Sequence, residues 1–531
     1  MSGAGSAPGT QNASCSVEAR TVTGGLKSKE RGGCPQLGLL SLVLAGLLLL
    51  LPGAGRAGTP GVDEPPPALA PRPLALPALY PSTLANGLTL VVAPRPGLPV
   101  VSLSLLVRAG PEADPVGRPG AAAMTATLWP KGALRAGKPV PAAALARQAE
   151  ALGGGLESNS SWGVSTLAMT VSSPRLDEAA SLLVDVLRHP LLAADELERA
   201  RAQALDGLRV TLGNPADVAA LALRRAYWGA GPYGQSALPV ALQRLTRADV
   251  QAFQAKWVRP DQVALVLVGD VTPEQGTALA QRLLGDWRAP AGPAPTPVLR
   301  PAAPIAAPLV LIDMPGSGQS GVAVAAPYLG NGETDRPQRY AGLVANAVLG
   351  GGYSARLNQE VRIKRGLSYG AGSSAESHPT GGMFSAWAQT NHPTAAEVLA
   401  LLRAEITRLA DAPPAADELA ARQATLVGSF ARRLETTAGL SALLVGQLAQ
   451  GRPLTELAAY SPGLLAVTPA QVQAFARQHW QAAGLRAVIA GDLAAGGAGL
   501  AALELLPAQV LRLPVAELDL EQDSLRKPPV R

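Results

Sequence analysis

LTRADVQAFQAKWVRPDQVALVLVGD, Leu245 to Asp270, and VTPAQVQAFARQHWQAAGLRAVIAGD, Val467 to Asp492, are two versions of one unit. Thr246, Val250, Phe253, Gly269 and Asp270 map onto Thr468, Val472, Phe475, Gly491 and Asp492 without a gap, at a constant offset of 222 residues. Two copies at so long a period mean a duplicated domain, not a solenoid. Each copy reads as a helix, a loop and an apolar strand that closes in Gly-Asp.

Working outward, the earlier parts of each half agree. LANGLTLVVAPRP places a hairpin turn at Asn86-Gly87, and LPVVSLSLLVRAG follows as a second strand. Gly117 to Lys131 reads as a helix after this strand pair. PLVLIDMPGSGQSGVAVAAPY is the second half's strand pair, with a hairpin turn at Gly316 to Gly321, and Asp335 to Leu349 is its helix. Ala and Leu at helical spacing predict further helices at Ala142–Ala151, Asp177–Arg188 and Ala395–Leu409. The fold class is therefore α+β: two tandem domains, each a mixed, antiparallel-rich sheet packed with helices. The expected boundaries are a leader over 1–57, a Pro/Ala-rich linker over 58–82, a first domain over 83–290, a linker over 291–308, a second domain over 309–515 and a tail over 516–531.

Composition narrows the function classes. Apolar residues make up 47% of the 531 and charged residues 16%, a globular balance whose core must come from Ala, Leu and Val because aromatics are only 4%. A net charge of +6, with Lys and Arg scattered, leaves no footprint for nucleic acid. Arg20, Lys27, Lys29 and Arg31 precede the apolar run Leu37–Leu51, which small residues follow at Ala54–Gly58. That order is a secretory signal, with cleavage expected after Ala57; the alternative is an uncleaved membrane anchor at 37–51. Export, to a periplasmic location, is the expectation. Cys15 and Cys34 both lie before the cleavage point, so the mature chain has no thiol for a disulfide or a metal site.

The local motifs are sparse. GSGQSG at Gly316–Gly321 has the glycine spacing of a dinucleotide loop, but VAVAA follows it and reads as strand, whereas that loop must open a helix. His189, His378, His392 and His479 have no metal-ligand spacing, and three precede proline, which places them at element ends. In LGGGYSARLNQEVRIKRGLSYGAGSS, Leu349 to Ser374, a glycine turn leads into an amphipathic helix that Gly366 ends, and Tyr369 opens a strand of small residues. Across that turn Arg362 and Tyr369 can converge on one carbonyl oxygen, as an oxyanion clamp requires. A solvated arginine and a half-buried tyrosine is the competing reading.

SARLNQEVRIKRGLSYGAGSS resembles the C-terminal signature of the insulinase and pitrilysin zinc peptidases, which include the mitochondrial processing peptidase subunits. The resemblance extends to NGLTLVV, to ELERARAQALDGLR and to both Gly-Asp strand ends, covering roughly Leu84 to Leu513. It implies duplicated α/β domains that form half of a clam-shaped peptide chamber. Catalytic members carry H-x-x-E-H on the first helix and a downstream glutamate as third zinc ligand. Aligned through Gly120, Lys131 and Gly132, the two histidines fall on Ala123 and Thr127, the general base on Ala126 and the third ligand on Gly207, next to Asp206. Those side chains hold no zinc, and without metal there is no activated water.

Arg362 and Tyr369 match the family's substrate-contacting arginine and tyrosine. The resemblance therefore implies a non-catalytic subunit with no cofactor of its own. It would bind peptide or unfolded polypeptide beside a zinc-bearing subunit of the same family. An inert peptide-binding or scaffold protein on the same fold is the alternative; peptidase activity by other chemistry has no motif behind it.

Overall fold

The computed structural model describes residues 75–300, 302–504 and 509–528. The expected leader over 1–57, with its apolar run at 37–51, lies outside the described residues. Among the described residues no helix is long and apolar enough to cross a membrane.

The repeat units fold alike. Thr246 and Thr468 cap the helices Arg247–Trp257 and Pro469–His479, each accepting from the backbone amide three residues on while Asp249 or Gln471 reaches back to the cap amide. Such a capping box satisfies two orphan donors at once. Val250 and Phe253, like Val472 and Phe475, are buried on the inner faces of these helices. The strands that follow end in glycine for a steric reason. A Cβ at Gly269 would lie 2.1 Å from the Val100 carbonyl oxygen, and one at Gly491 would lie 2.2 Å from Ser320 Oγ.

The first half contains β1 (Tyr80–Thr83), β2 (Thr89–Pro94), β3 (Val100–Val107), β4 (Gly132–Arg135), β5 (Lys138–Pro141), β6 (Glu157–Ser161), β7 (Val164–Ser172) and β8 (Val263–Gly269). The second contains β9 (Leu309–Asp313), β10 (Ser320–Tyr328), β11 (Ala371–His378), β12 (Gly381–Thr390), β13 (Arg486–Gly491) and β14 (Val510–Pro514). One sheet runs β1-β2-β8-β3-β7-β6, the other β14-β9-β13-β10-β12-β11, while β4 and β5 form a separate pair. The two large sheets have one topology with different outer strands: β1 pairs antiparallel with β2, whereas β14 pairs parallel with β9.

Three expectations need correction. The turn at Gly316–Gly321 is not a hairpin, because β13 lies between β9 and β10, just as β8 lies between β2 and β3. The hairpin at Asn86-Gly87 does form, but its first strand is β1, so the folded region reaches into the expected 58–82 linker. In the expected tail, the described residues 516–528 are docked: Leu520 and Leu525 are buried, and Arg225 donates to the Glu521 carbonyl and to Asp523. The 291–308 linker is also fastened, since Arg259 donates to the carbonyls of Pro290, Gly292 and Pro293 and Ile305 N–H donates to Ala226.

Each sheet is covered on one face by its own helices and on the other by a helix from the opposite half. Pro215–Trp228 of the first half packs on β10 and β13, while Thr437–Ala449 of the second packs on β3 and β8. Val218, Ala222 and Leu223 share a core with Val310, Ala323 and Val488, and Leu440 and Leu444 share one with Leu106, Val266 and Val268. Burial on both faces explains why β8 is apolar at every position instead of alternating.

Candidate functional site

The helix expected to carry a zinc motif is Ala121–Leu128. Its N-terminus is held by Asp114, whose carboxylate accepts from Gly120 N–H at 2.6 Å and Ala122 N–H at 2.7 Å. Burial pushes the Asp114 carboxyl up to about 7 although these two amides favour the charged form. Ala123 and Thr127 are exposed one turn apart on one face, and Ala126 is buried. The helix Ala194–Gly213, which carries Gly207, packs against it.

The packing sets Ala123, Ala126 and Thr127 on a helix beside the one that carries Gly207, and none of these four side chains is a zinc donor of the family's type. The Thr127 hydroxyl donates to the Ala123 carbonyl at 2.9 Å, and Asp206 beside Gly207 pairs with Arg209. Among the described residues no group of three His, Cys, Asp or Glu is placed to hold a metal ion. Beside this surface runs β6, whose Ser158 donates to the Ala126 carbonyl at 2.6 Å and which, among the described residues, is an edge strand paired with β7.

Arg362 lies in the second half, in a helical segment that starts at Arg356–Asn358 and widens to a π-turn over Gln359–Ile363. Such π-turns recur at functional sites. The segment is firmly fixed. Arg356 makes two bonds to Glu418, at 2.8 and 2.7 Å, and buried Glu360 pairs with Lys364 and Arg365. Buried Asn358 links the glycine turn to β11, donating to the Tyr353 carbonyl at 2.6 Å and accepting from Ala371 N–H at 3.2 Å.

Gly366, at φ 64°, ends the helix as expected, and Leu367 is tied to Val361 and Thr390. Tyr369 differs from expectation: it stands in the loop before β11 and is 90% exposed. Arg362 lies over the exposed ring of Tyr353, 5.0 Å from its centroid. Tyr353, Ile363 and Tyr369 are large apolar side chains left exposed on this turn, beside exposed Lys364 and Arg365.

Sequence reasoning missed a cavity of about 660 Å³ between the halves, lined by neither Arg362 nor Tyr369. At one end the His378 ring stacks on Tyr233 at 4.0 Å, with Trp162 edge-on at 5.6 Å. Glu376 bonds Arg224 at 2.6 Å, and Arg224 lies over Trp162. Burial opposes charge on Glu376, but the His378 and Arg224 partners prevail and hold its carboxyl down at about 2. The four histidines do sit at element ends. His392 accounts for GSGQSG: its ring bonds Ser320 Oγ at 2.8 Å and the Ser317 carbonyl at 2.7 Å, and no helix follows.

This geometry can be compared with known proteins. The family model described as Insulinase (Peptidase family M16) matches residues 90–239, and that described as Peptidase M16 inactive domain matches 244–426. The chain belongs to peptidase family M16. An uncharacterised zinc protease of Mycobacterium tuberculosis is 26% identical over 329 residues, which cover 61% of this chain and 71% of the relative. One of Streptomyces coelicolor is 25% identical over 269 residues, 49% of this chain and 58% of that one.

Among solved structures, a peptidase M16 inactive domain from Pseudomonas fluorescens superposes with a TM-score of 0.71 at 27% identity, over 78% of this chain and 98% of that one. A protease from Helicobacter pylori shares the fold, with a TM-score of 0.72 at 21% identity over 78% and 100% of the two chains. This chain is therefore an M16 member whose second half matches the family's inactive domain.

Proposed function

We propose that this M16 chain is the substrate-holding, non-catalytic subunit of an exported two-chain zinc peptidase, with zinc carried by the partner. One contrast carries this reading. The expected metal positions carry no zinc-donor side chains of the family's type, while an anchored turn carries a half-buried arginine and a tyrosine that is 90% exposed.

In the complex, the Arg362 guanidinium and the Tyr369 hydroxyl donate to the oxygen of the peptide carbonyl under attack, where negative charge develops. The open edge of β6 offers backbone donors and acceptors to an extended polypeptide, the mode in which a strand is added to a sheet. Metal held by the partner would supply the activated water. Export follows from the leader, with retention at the membrane by residues 37–51 as its variant.

Purification of the tagged chain from its native host, with mass spectrometry and metal analysis of what accompanies it, tests the pairing. The expected companion is an M16 chain with an intact H-x-x-E-H motif and stoichiometric zinc. Recovery as a homodimer without such a companion supports an inert scaffold instead.

A further inference from the structure

The end of the inter-half cavity away from His378 has an unbalanced charge. Arg336, Arg339, Arg433 and Arg452 line the cavity, against the carboxylates of Asp335 and Glu456. Glu456 is already shared by two of them, at 3.2 Å from Arg336 and 2.6 Å from Arg339. The side chains of Arg433 and Arg452 have no hydrogen-bond or ion-pair partner among the described residues, whereas the other end of the cavity is neutralised by the Glu376–Arg224 pair. Partly buried Arg452 is pulled down to about 10 by its burial first and by Arg339 next, the mark of a cation crowded by like charge.

A second observation points the same way. Gln447 is 92% buried on the cavity wall, yet its side-chain oxygen position has no partner. Amide oxygen and nitrogen exchange by a simple flip, so this side chain can also present two donors to the cavity. Buried polar groups are normally satisfied, and one that is not marks a place for a missing partner.

We propose that this cavity is a binding site for a peptide carboxylate, with Arg452 and Arg433 as the anion receptor and Gln447 as an added donor. Phe430, Leu443 and Tyr460 line the same end and give the ligand an apolar neighbour, and about 660 Å³ is far more room than a small inorganic anion fills. The carboxylate can be a chain's C-terminus or an acidic side chain, since the receptor chemistry is the same for both. The site needs no partner subunit and is separate from the Arg362–Tyr369 turn, so its failure leaves the subunit reading standing.

Isothermal titration of the purified chain with three peptides tests this: acetyl-Ala-Phe-Leu-Phe-Ala as the free acid, the same peptide as its amide, and the amide with a terminal Glu. Binding of one or both charged peptides at least about tenfold tighter than the neutral amide is expected, and which of the two binds tells C-terminal from side-chain recognition. Arg452→Gln and Arg433→Gln should each weaken that binding about tenfold or more, while Arg452→Lys keeps it within about fivefold and Arg175→Gln leaves it unchanged. Folding of each variant is confirmed by its melting curve. Equal affinity for charged and neutral peptides, no binding of any peptide, or wild-type affinity in a folded Arg452→Gln would overturn the proposal. Inorganic phosphate binding as tightly as the charged peptides would overturn the assignment to a peptide.

Discussion

Ser104 of β3 and Ser441 of the Thr437–Ala449 helix share a buried hydrogen bond of 2.9 Å across 337 residues of sequence. It is one of two hydroxyl bonds that seat this helix on the other half's sheet, the second joining Ser102 to Thr437 at 2.8 Å. Removing one partner strands the other, at about 1–3 kcal/mol. Ser441→Ala should therefore destabilise the chain by about that much, and adding Ser104→Ala should cost less than the sum of the single changes. Urea unfolding of the four proteins checks the cycle; strict additivity would show that the two hydroxyls do not interact.

The docked C-terminal segment gives a second test. Arg225 is buried to 3% exposure and its partners all come from that segment, but Asp523 is largely solvated. An exposed carboxylate contributes about 0–1 kcal/mol, whereas a stranded buried charge costs several times more. Truncation after Pro514 should lower the Tm clearly, while Asp523→Ala should barely move it. Equal effects would place the stabilisation in the ion pair instead of the burial.

Asp114 makes stability depend on pH in an unusual direction. Its carboxyl titrates near the ordinary carboxylate value of 3.8 when unfolded and at about 7 when folded. Below about pH 4 both states hold the proton; between about 4 and 7 only the folded state does, so stability falls as pH rises through that window. The stability of wild type relative to Asp114→Asn should decline from pH 4 to pH 7 and then level off, as read from urea midpoints. A relative stability that rises over this window would mean that the Gly120 and Ala122 amides outweigh burial.

Whether the expected zinc positions meet in space can be tested by giving them zinc ligands. Ala123 and Thr127 are exposed one turn apart, and a Cβ at Gly207 meets open space. Ala123→His with Thr127→His and Gly207→Glu supplies the donor types and helical spacing of a zinc site. The triple variant should take up zinc in equilibrium dialysis where wild type does not. No gain would show that these positions do not converge.

The duplication was legible because it rests on local patterns. Thr246 and Thr468 both cap helices, and Gly269 and Gly491 both meet a neighbouring strand too closely for any side chain. Strand order was not legible: placing β13 between β9 and β10 depends on long-range pairing, which periodicity cannot register. The exchanged helices Pro215–Trp228 and Thr437–Ala449 keep the 222-residue offset at their starts, but an Ala/Leu pattern does not say which sheet it covers. Arg362 and Tyr369 could be singled out because their motif is contiguous, although Tyr369 was expected to open a strand and stands in the loop before it. Arg336, Arg339, Arg433 and Arg452 come from separate segments, and only the fold reveals that they share a cavity.

The central claim is that Arg362 and Tyr369 hold the substrate for a partner's chemistry. Its most direct test is the rate of peptide cleavage by the reconstituted two-chain enzyme carrying Arg362→Ala or Tyr369→Phe. A loss of roughly 10²- to 10³-fold in kcat is expected for each change, with assembly and partner zinc content unaltered. Wild-type kcat in both variants of the intact complex would contradict it.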